Sequence, residues 1–156
     1  MNTSDKHTDA TGSQPPIKRI GVVGLGHMGG NFAHNLVADG YRVTVYDRNE
    51  TQTVPFVALG ATAASSMDDL ANCEAVLTSL PDDKALIEVT LSKRRLLHVL
   101  APGAIHLSMS TVSPDLSRGL DREHRAAGQG FVSAPVLGNP TSRMSGSSLY
   151  SLPELR

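Results

Sequence analysis

Short apolar runs alternate with helical patterns along most of this chain. The runs fall at Ile17–Val23, Arg42–Tyr46, Ala75–Leu80, Ala104–Leu107 and Phe131–Ser133, with a shorter one near Ala61 and Thr62. Between the first two runs, apolar residues recur at helical spacing, at Met28, Phe32, Ala33, Leu36 and Val37. Strands that alternate with helices build parallel βαβ units. The pattern therefore predicts an α/β fold with a doubly wound parallel sheet.

Turn and cap residues mark where the helices begin and end. Gly40 is placed as the C-terminal cap of the first helix, and Ser113-Pro114-Asp115 is typical of a helix start that runs to about Ala127. Pro81-Asp82-Asp83 opens a helix that we expect to reach about His98. Shorter helices are predicted after Asn49, where Pro55 falls in or near the first turn, and from Ser65 or Ser66 to Leu70.

The chain of 156 residues suits one domain. Residues 1–16 are polar, with glycine and two prolines, and are predicted to be a disordered tail. Residues 17–146 carry the α/β pattern, and residues 147–156 depart from it. No second domain is expected after them.

Composition excludes several classes of function. The net charge is −1, so nothing favours nucleic acid or an anionic membrane as a partner. Tryptophan is absent and aromatic residues are few, which leaves no stacking platform for bases. No run is apolar for the roughly 18 residues that a bilayer span needs, and the start has no secretory apolar core. The expected location is the cytoplasm.

Neither cysteine nor histidine predicts a metal site. The lone Cys73 excludes an intrachain disulfide and a cysteine-rich zinc site, and it precedes an apolar strand as a small buried residue would. His7, His34, His98, His106 and His124 show no ligand spacing and are expected at the surface or at strand ends.

A glycine-rich turn stands between the first strand and the first helix. Gly24, Gly26 and Gly29 form the pattern GxGxxG in the order strand, turn, helix. Gly24 permits the turn, Gly26 lets a pyrophosphate approach the main chain, and Gly29 lets helix and strand pack closely. The N–H groups of a helix N-terminus favour an anion. A purely structural glycine turn is the alternative.

The end of the second strand bears on the choice of dinucleotide. Asp47 lies 23 residues after Gly24, and an acid about 20 residues after the first glycine accepts hydrogen bonds from a ribose diol. That carboxylate favours NAD and would repel a 2'-phosphate, whereas the neighbouring Arg48 could receive the phosphate of NADP or stack on adenine. The sequence leaves NAD and NADP open.

Several motifs together resemble one family, the β-hydroxyacid dehydrogenases, which include 3-hydroxyisobutyrate dehydrogenases and, more distantly, imine reductases. The resemblance covers about Ile17 to Gly146. It rests on the glycine turn with Asn35-Leu36 and Gly40, on Val43–Arg48, on Leu80–Asp83, and on Ser110–Pro114 followed by Ala134-Pro135-Val136 and Gly138. It implies the N-terminal Rossmann-type NAD(P)-binding domain of an oxidoreductase that moves hydride between nicotinamide and a hydroxyacid, carbonyl or imine.

The resemblance also implies roles for individual residues. Gly24, Leu25, Gly26, His27, Met28 and Gly29 would form the pyrophosphate turn; Leu80 and Pro81 would lie beside adenosine and ribose; Ser110 and Thr111 would lie at the nicotinamide, with Ser110, Gly138 and Asn139 at the substrate. Each has a plainer interpretation as a turn or strand-end residue.

Departures from the family limit what it implies. Ser108 stands where an aspartate is common, and Leu137-Gly138-Asn139 replaces Ser-Gly-Gly, which suggests a different or bulkier substrate. The family's catalytic lysine and C-terminal helical domain have no match here, and Lys84 and Lys93 are expected to be surface charges. We therefore expect no catalytic residue in this chain. A second domain would be needed for substrate turnover, and a homo-oligomer is possible. The alternatives are a non-catalytic dinucleotide-binding module or an inactive truncated product.

Overall fold

A six-stranded parallel sheet forms the centre of the molecule. The computed structural model describes residues 16–136. The strands are β1 (Arg19–Val23), β2 (Arg42–Tyr46), β3 (Thr62–Ala63), β4 (Ala75–Thr78), β5 (Ile105–Ser108) and β6 (Gly130–Ser133). Their order across the sheet is β3-β2-β1-β4-β5-β6, so the chain winds outwards from β1 in both directions. This is the doubly wound Rossmann order, and it confirms the predicted fold class.

Within residues 16–136, five α-helices connect the strands. They are α1 (His27–Ala38), α2 (Val54–Ala58), α3 (Asp83–Leu91), α4 (Leu96–Val99) and α5 (Pro114–Ala126), and 3-10 turns lie at Glu50–Thr53 and Met67–Leu70. The predicted start of α5 is confirmed, because the Leu116 N–H donates to Ser113 Oγ at 3.4 Å. Asp82 caps α3 in the same way, accepting from the Ala85 N–H at 2.8 Å.

The prediction of one helix from Asp83 to about His98 is wrong. Leu86 and Thr90 are buried one turn apart on the same face of α3, and continuing the helix by one more turn would place Arg94 on that buried face. A guanidinium cannot follow them into the core, so the helix ends at Leu91 and Arg94 takes a positive φ of 58°. Arg94 then pairs with Asp68 at 2.6 Å, and the chain re-enters the core at the fully buried Leu96.

Apolar side chains cover both faces of the sheet. Because successive strand residues point to opposite faces, Val22 and Val23 belong to different clusters. All of β4 is buried, as expected of a strand inside a doubly covered sheet. Cys73 is buried as predicted, and burial raises the pKa of its thiol. Among the described residues no helix is long and apolar enough to cross a bilayer.

Candidate functional site

The turn between β1 and α1 can be built only with glycine at two positions. Gly24 has a φ of +87°, and a Cβ there would lie 2.3 Å from the carbonyl oxygen of Ser79. At Gly29 a Cβ would lie 1.8 Å from the carbonyl oxygen of Gly24. Both overlaps are with backbone, which cannot move aside without disturbing α1 or the end of β4. The packing of the turn therefore explains these two glycines fully.

Gly26 differs from these two glycines. It is the exposed N-cap of α1, its φ of −61° suits any residue, and a Cβ there would meet nothing within 4 Å. No neighbour within the protein requires glycine at this position. The first N–H groups of a helix have no acceptor within the helix, and the macrodipole makes this end positive. Gly26 thus leaves an open approach to a surface that favours anions.

Asp47 ties the end of β2 to the glycine turn. Its Oδ2 accepts the Leu25 N–H at 2.7 Å, and its Oδ1 accepts the Asn49 N–H at 2.8 Å. Each carboxylate oxygen can accept a further hydrogen bond, so the half-buried side chain retains capacity for a diol. Arg48 beside it is exposed. The spacing of the motif predicted Asp47 as an acceptor, but it gave no sign of the bond to Leu25.

Leu25 contributes to this edge through its backbone. Its side chain is 4% exposed and packs with Val22, Ala33 and Val45 in the core. Only its main chain can face a ligand above the turn. His27 is exposed at the start of α1, and Met28 is half-buried.

Ser110 joins the ends of β4 and β5. The Leu80 N–H donates to Ser110 Oγ at 2.8 Å, and the serine is 4% exposed. Pro81 and Thr111 follow these residues and are exposed. Parallel strands end at one edge of the sheet, so this edge collects the predicted residues Gly24, Leu25, Gly26, His27, Met28, Gly29, Asp47, Arg48, Leu80, Pro81, Ser110 and Thr111. Gly138 and Asn139 lie outside the described residues.

Two features of this region leave no recognisable signal in the sequence. Ser79 packs its backbone and Cβ against Gly24 and Gly29. Asp83 holds the loop after β5, accepting from Ser113 N–H at 3.0 Å and from Ser113 Oγ at 2.6 Å. An acid at a helix start is an ordinary capping signal, so nothing local distinguishes a carboxylate that bridges two loops.

Two histidines are buried, which contradicts their predicted places at the surface or at strand ends. His106 in β5 and His124 in α5 are both 0% exposed, and their rings are hydrogen-bonded at 3.0 Å. Burial, and then the proximity of His124, lowers the pKa of His106 to about 3. Burial also lowers the pKa of His124, against the hydrogen bond to Gln129 and the charge of Asp121. Across residues 16–136, no cluster of histidine, cysteine and carboxylate could hold a metal.

Comparison with known proteins identifies the family of this fold. Residues 19–150 match the family model described as the NAD binding domain of 6-phosphogluconate dehydrogenase. Uncharacterized oxidoreductase YfjR of Bacillus subtilis is 42% identical over 123 residues, which are 78% of this chain and 43% of that protein. NAD-dependent L-serine dehydrogenase of Pseudomonas aeruginosa is 33% identical over 135 residues, covering 86% of this chain and 45% of that protein.

The solved structures agree. The 3-hydroxyisobutyrate dehydrogenase of Mycobacterium tuberculosis, determined with L-serine, superposes with a TM-score of 0.74 at 25% identity, over 80% of this chain and 42% of that one. The chain thus spans less than half the length of these relatives.

Proposed function

This chain belongs to the family of the NAD-binding domain of 6-phosphogluconate dehydrogenase, and from that premise we propose that it is the cofactor-binding part of an NAD(P)-dependent oxidoreductase of the 3-hydroxyisobutyrate dehydrogenase type. Hydride would pass between the nicotinamide and a hydroxyacid, carbonyl or imine. The observation that carries the proposal is Gly26. The fold itself requires Gly24 and Gly29, whereas no neighbour within the protein requires Gly26, and a glycine there leaves the main chain at the helix N-terminus open to a ligand.

The site residues act by binding and orienting the cofactor. The backbone from Gly24 to Gly29 would hold the pyrophosphate, Asp47 and Arg48 the adenosine ribose, and Leu80 and Pro81 the adenosine. Ser110 and Thr111 would lie at the nicotinamide, with Ser110, Gly138 and Asn139 at the substrate. The bound cofactor supplies the hydride chemistry, and the protein supplies orientation and electrostatics.

No residue of this chain is assigned as a catalyst. Lys84 and Lys93 are exposed on or just after α3, as expected of surface charges. Substrate turnover therefore depends on a group supplied by a further domain. A non-catalytic dinucleotide-binding module, or an inactive product, is the alternative, and each predicts no turnover by this chain alone. A cytoplasmic location and a homo-oligomeric state stay predictions, to be tested by cell fractionation and by light scattering.

A Gly26→Asp substitution is expected to abolish dinucleotide binding without unfolding the domain. The new carboxylate would lie where the pyrophosphate binds, and juxtaposed like charges cost several kcal/mol, so affinity should fall by roughly 100-fold or more. Isothermal titration calorimetry of the 156-residue chain with NAD⁺ and NADP⁺ measures this effect. Gly119→Asp in α5 is the matched control, because a Cβ there also meets nothing within 4 Å. Unchanged binding by Gly26→Asp would exclude the proposed site.

An Asp47→Asn substitution is expected to shift cofactor preference towards NADP. The amide oxygen can still accept the Leu25 N–H, while the negative charge that repels a 2'-phosphate is lost. A charge interaction of about 1 kcal/mol, the value for two charges about 4 Å apart in water, corresponds to a change of roughly fivefold in the ratio of the two dissociation constants. Calorimetry with both cofactors gives that ratio. Asp39→Asn, an exposed acid at the end of α1, is the control, and an equal shift there would contradict a specific role for Asp47.

A further inference from the structure

A network of hydrogen-bonded side chains, formed by Gln129, His124, His106 and Thr78, runs through the interior behind the sheet edge that carries the glycine turn. The hydrogen-bond partners of each group in the network fix the position of every proton. Gln129 begins the network. Its Nε2 donates to the carbonyl oxygens of Leu97 at 3.1 Å and Leu100 at 2.7 Å, so its Oε1 remains as an acceptor. That oxygen lies 2.7 Å from His124 Nδ1. The hydrogen of neutral His124 is therefore on Nδ1.

The same logic continues through the second imidazole. His124 Nε2 must accept, and it lies 3.0 Å from His106 Nδ1, which therefore carries a hydrogen. His106 Nε2 then accepts from the hydroxyl of Thr78 at 2.9 Å. With both histidines neutral and in the Nδ1–H tautomer, every polar side-chain group of this network has a hydrogen-bond partner. The rings of both histidines also pack against Phe131 of β6.

Thr78 connects this network to the binding edge. It is the last residue of β4, and its carbonyl accepts the Met109 N–H at 2.9 Å. The next residue, Ser79, donates its N–H to the Val23 carbonyl at 2.9 Å and lies against Gly24. Leu80 then bonds to Ser110. The buried side chain of Thr78 thus anchors the segment that supports both the glycine turn and Ser110.

We propose that His106 and His124 are positioning residues for the dinucleotide: as a neutral pair they hold the end of β4 against the glycine turn, and a proton taken up by the pair releases Thr78 and weakens binding. This inference rests on the proposed function. A proton added at His124 Nε2 would face the Nδ1–H of His106 across the 3.0 Å contact. A proton added at His106 Nε2 would displace the donated hydrogen of Thr78.

The surroundings keep the pair neutral near pH 7. Burial lowers the pKa of both histidines. Among the described residues, the charged group that acts on the pair is Asp121, one turn before His124 on α5, and it is already paired with Arg125 at 2.9 Å. The only other titratable group described next to His106 is His124, and the only other one described next to His124 is His106.

The tautomers can be measured directly. Long-range ¹H–¹⁵N spectra of the histidine-labelled chain at pH 7.5 distinguish protonated from unprotonated ring nitrogens. We expect the Nδ1–H form for both His106 and His124. An Nε2–H form at either residue would overturn the inference, because the chain of donors would then be broken.

The effect on binding is measured by calorimetry with NAD⁺, which survives acid, between pH 7.5 and 4.5. Circular dichroism confirms at each pH that the protein is folded. Each pH unit below the first protonation of the histidine pair weakens binding by up to about tenfold, so we expect the affinity to fall progressively once the pH passes below that protonation. His124→Gln removes the titratable ring and its contact with His106, so it should weaken binding at pH 7.5 and flatten the acid profile. Thr78→Val, which cuts the link to β4, should flatten the profile too.

The controls separate this inference from the proposed function. His98→Gln removes an exposed histidine on α4 and should retain the wild-type profile. An affinity that falls equally on acidification in the wild type, His124→Gln and Thr78→Val would overturn the positioning role alone. An absence of binding at pH 7.5 in the folded wild type would overturn the proposed function, and this inference with it.

Discussion

Replacing Gly29 by alanine is expected to lower the free energy of unfolding by about 3 kcal/mol, a large fraction of the roughly 5–15 kcal/mol that stabilises a typical domain. The new methyl group would lie 1.8 Å from the carbonyl oxygen of Gly24. That oxygen is part of the backbone turn between β1 and α1, so relief requires α1 to move away from the sheet. Chemical denaturation followed by circular dichroism measures the loss.

Gly26→Ala is the matched control for this experiment. The two substitutions add the same methyl group to the same motif, but the one at Gly26 meets no protein atom within 4 Å. Its free energy of unfolding should fall by no more than about 1 kcal/mol, the cost of the poorer N-cap that alanine makes. Equal losses from Gly26→Ala and Gly29→Ala would refute the assignment of Gly29 to packing and Gly26 to the ligand.

Acid is expected to destabilise the fold well before its carboxylates are protonated. The pKa of His106 falls from an ordinary value of 6.5 to about 3 on folding, so the unfolded chain binds one more proton between these values. The contribution of neutral His106 to the free energy of unfolding is fully present above pH 6.5 and is lost as the pH falls towards 3. The slope is about 1.4 kcal/mol per pH unit for each proton, which gives about 2–3 kcal/mol between pH 6.5 and 4.5. His124, whose pKa is also lowered, adds to the loss.

Urea denaturation at a series of pH values tests this expectation. The window above pH 4.5 separates the histidines from Asp69 and Glu74, because hydrogen bonds to Ser65 and to the Arg19 backbone hold the pKa values of these exposed carboxyls below 3.8 and 4.5. His98→Gln should leave the slope unchanged. A flat stability profile from pH 6.5 to 4.5 would mean that His106 is protonated as easily in the folded protein as in the unfolded chain.

The fold was predictable because its determinants are local. A glycine turn, a cap such as Ser113 and an apolar run each act within a few residues, and their alternation specifies a parallel sheet. The end of α3 before Arg94 also has a local cause, because a longer helix would place this cation on its buried face. The apolar positions on either side of Arg94 continue at helical spacing, and they predict a single helix across it.

The buried interactions were not predictable in the same way. His106 and His124 belong to different elements and meet only once α5 has packed against the sheet. Nothing in their spacing distinguishes a buried pair from two surface histidines. The hydrogen bond from the Leu25 N–H to Asp47 likewise depends on the position of the glycine turn relative to the end of β2. The placement of Asp47 at the edge was predictable, whereas its structural role was not.

The central place of β1 has a consequence for the order of folding. Its contacts with β2 pair Arg19 with Arg42, whereas its contacts with β4 pair Ile20 with Ala75, so the second pairing closes a much longer loop. Longer loops cost more entropy and form later. The half containing β1, α1 and β2 can therefore assemble first, with the glycine turn still unsupported. Only when β4 docks does Ser79 reach Gly24, so cofactor-binding competence should appear in a late kinetic phase, after most of the helical signal from α1 has developed.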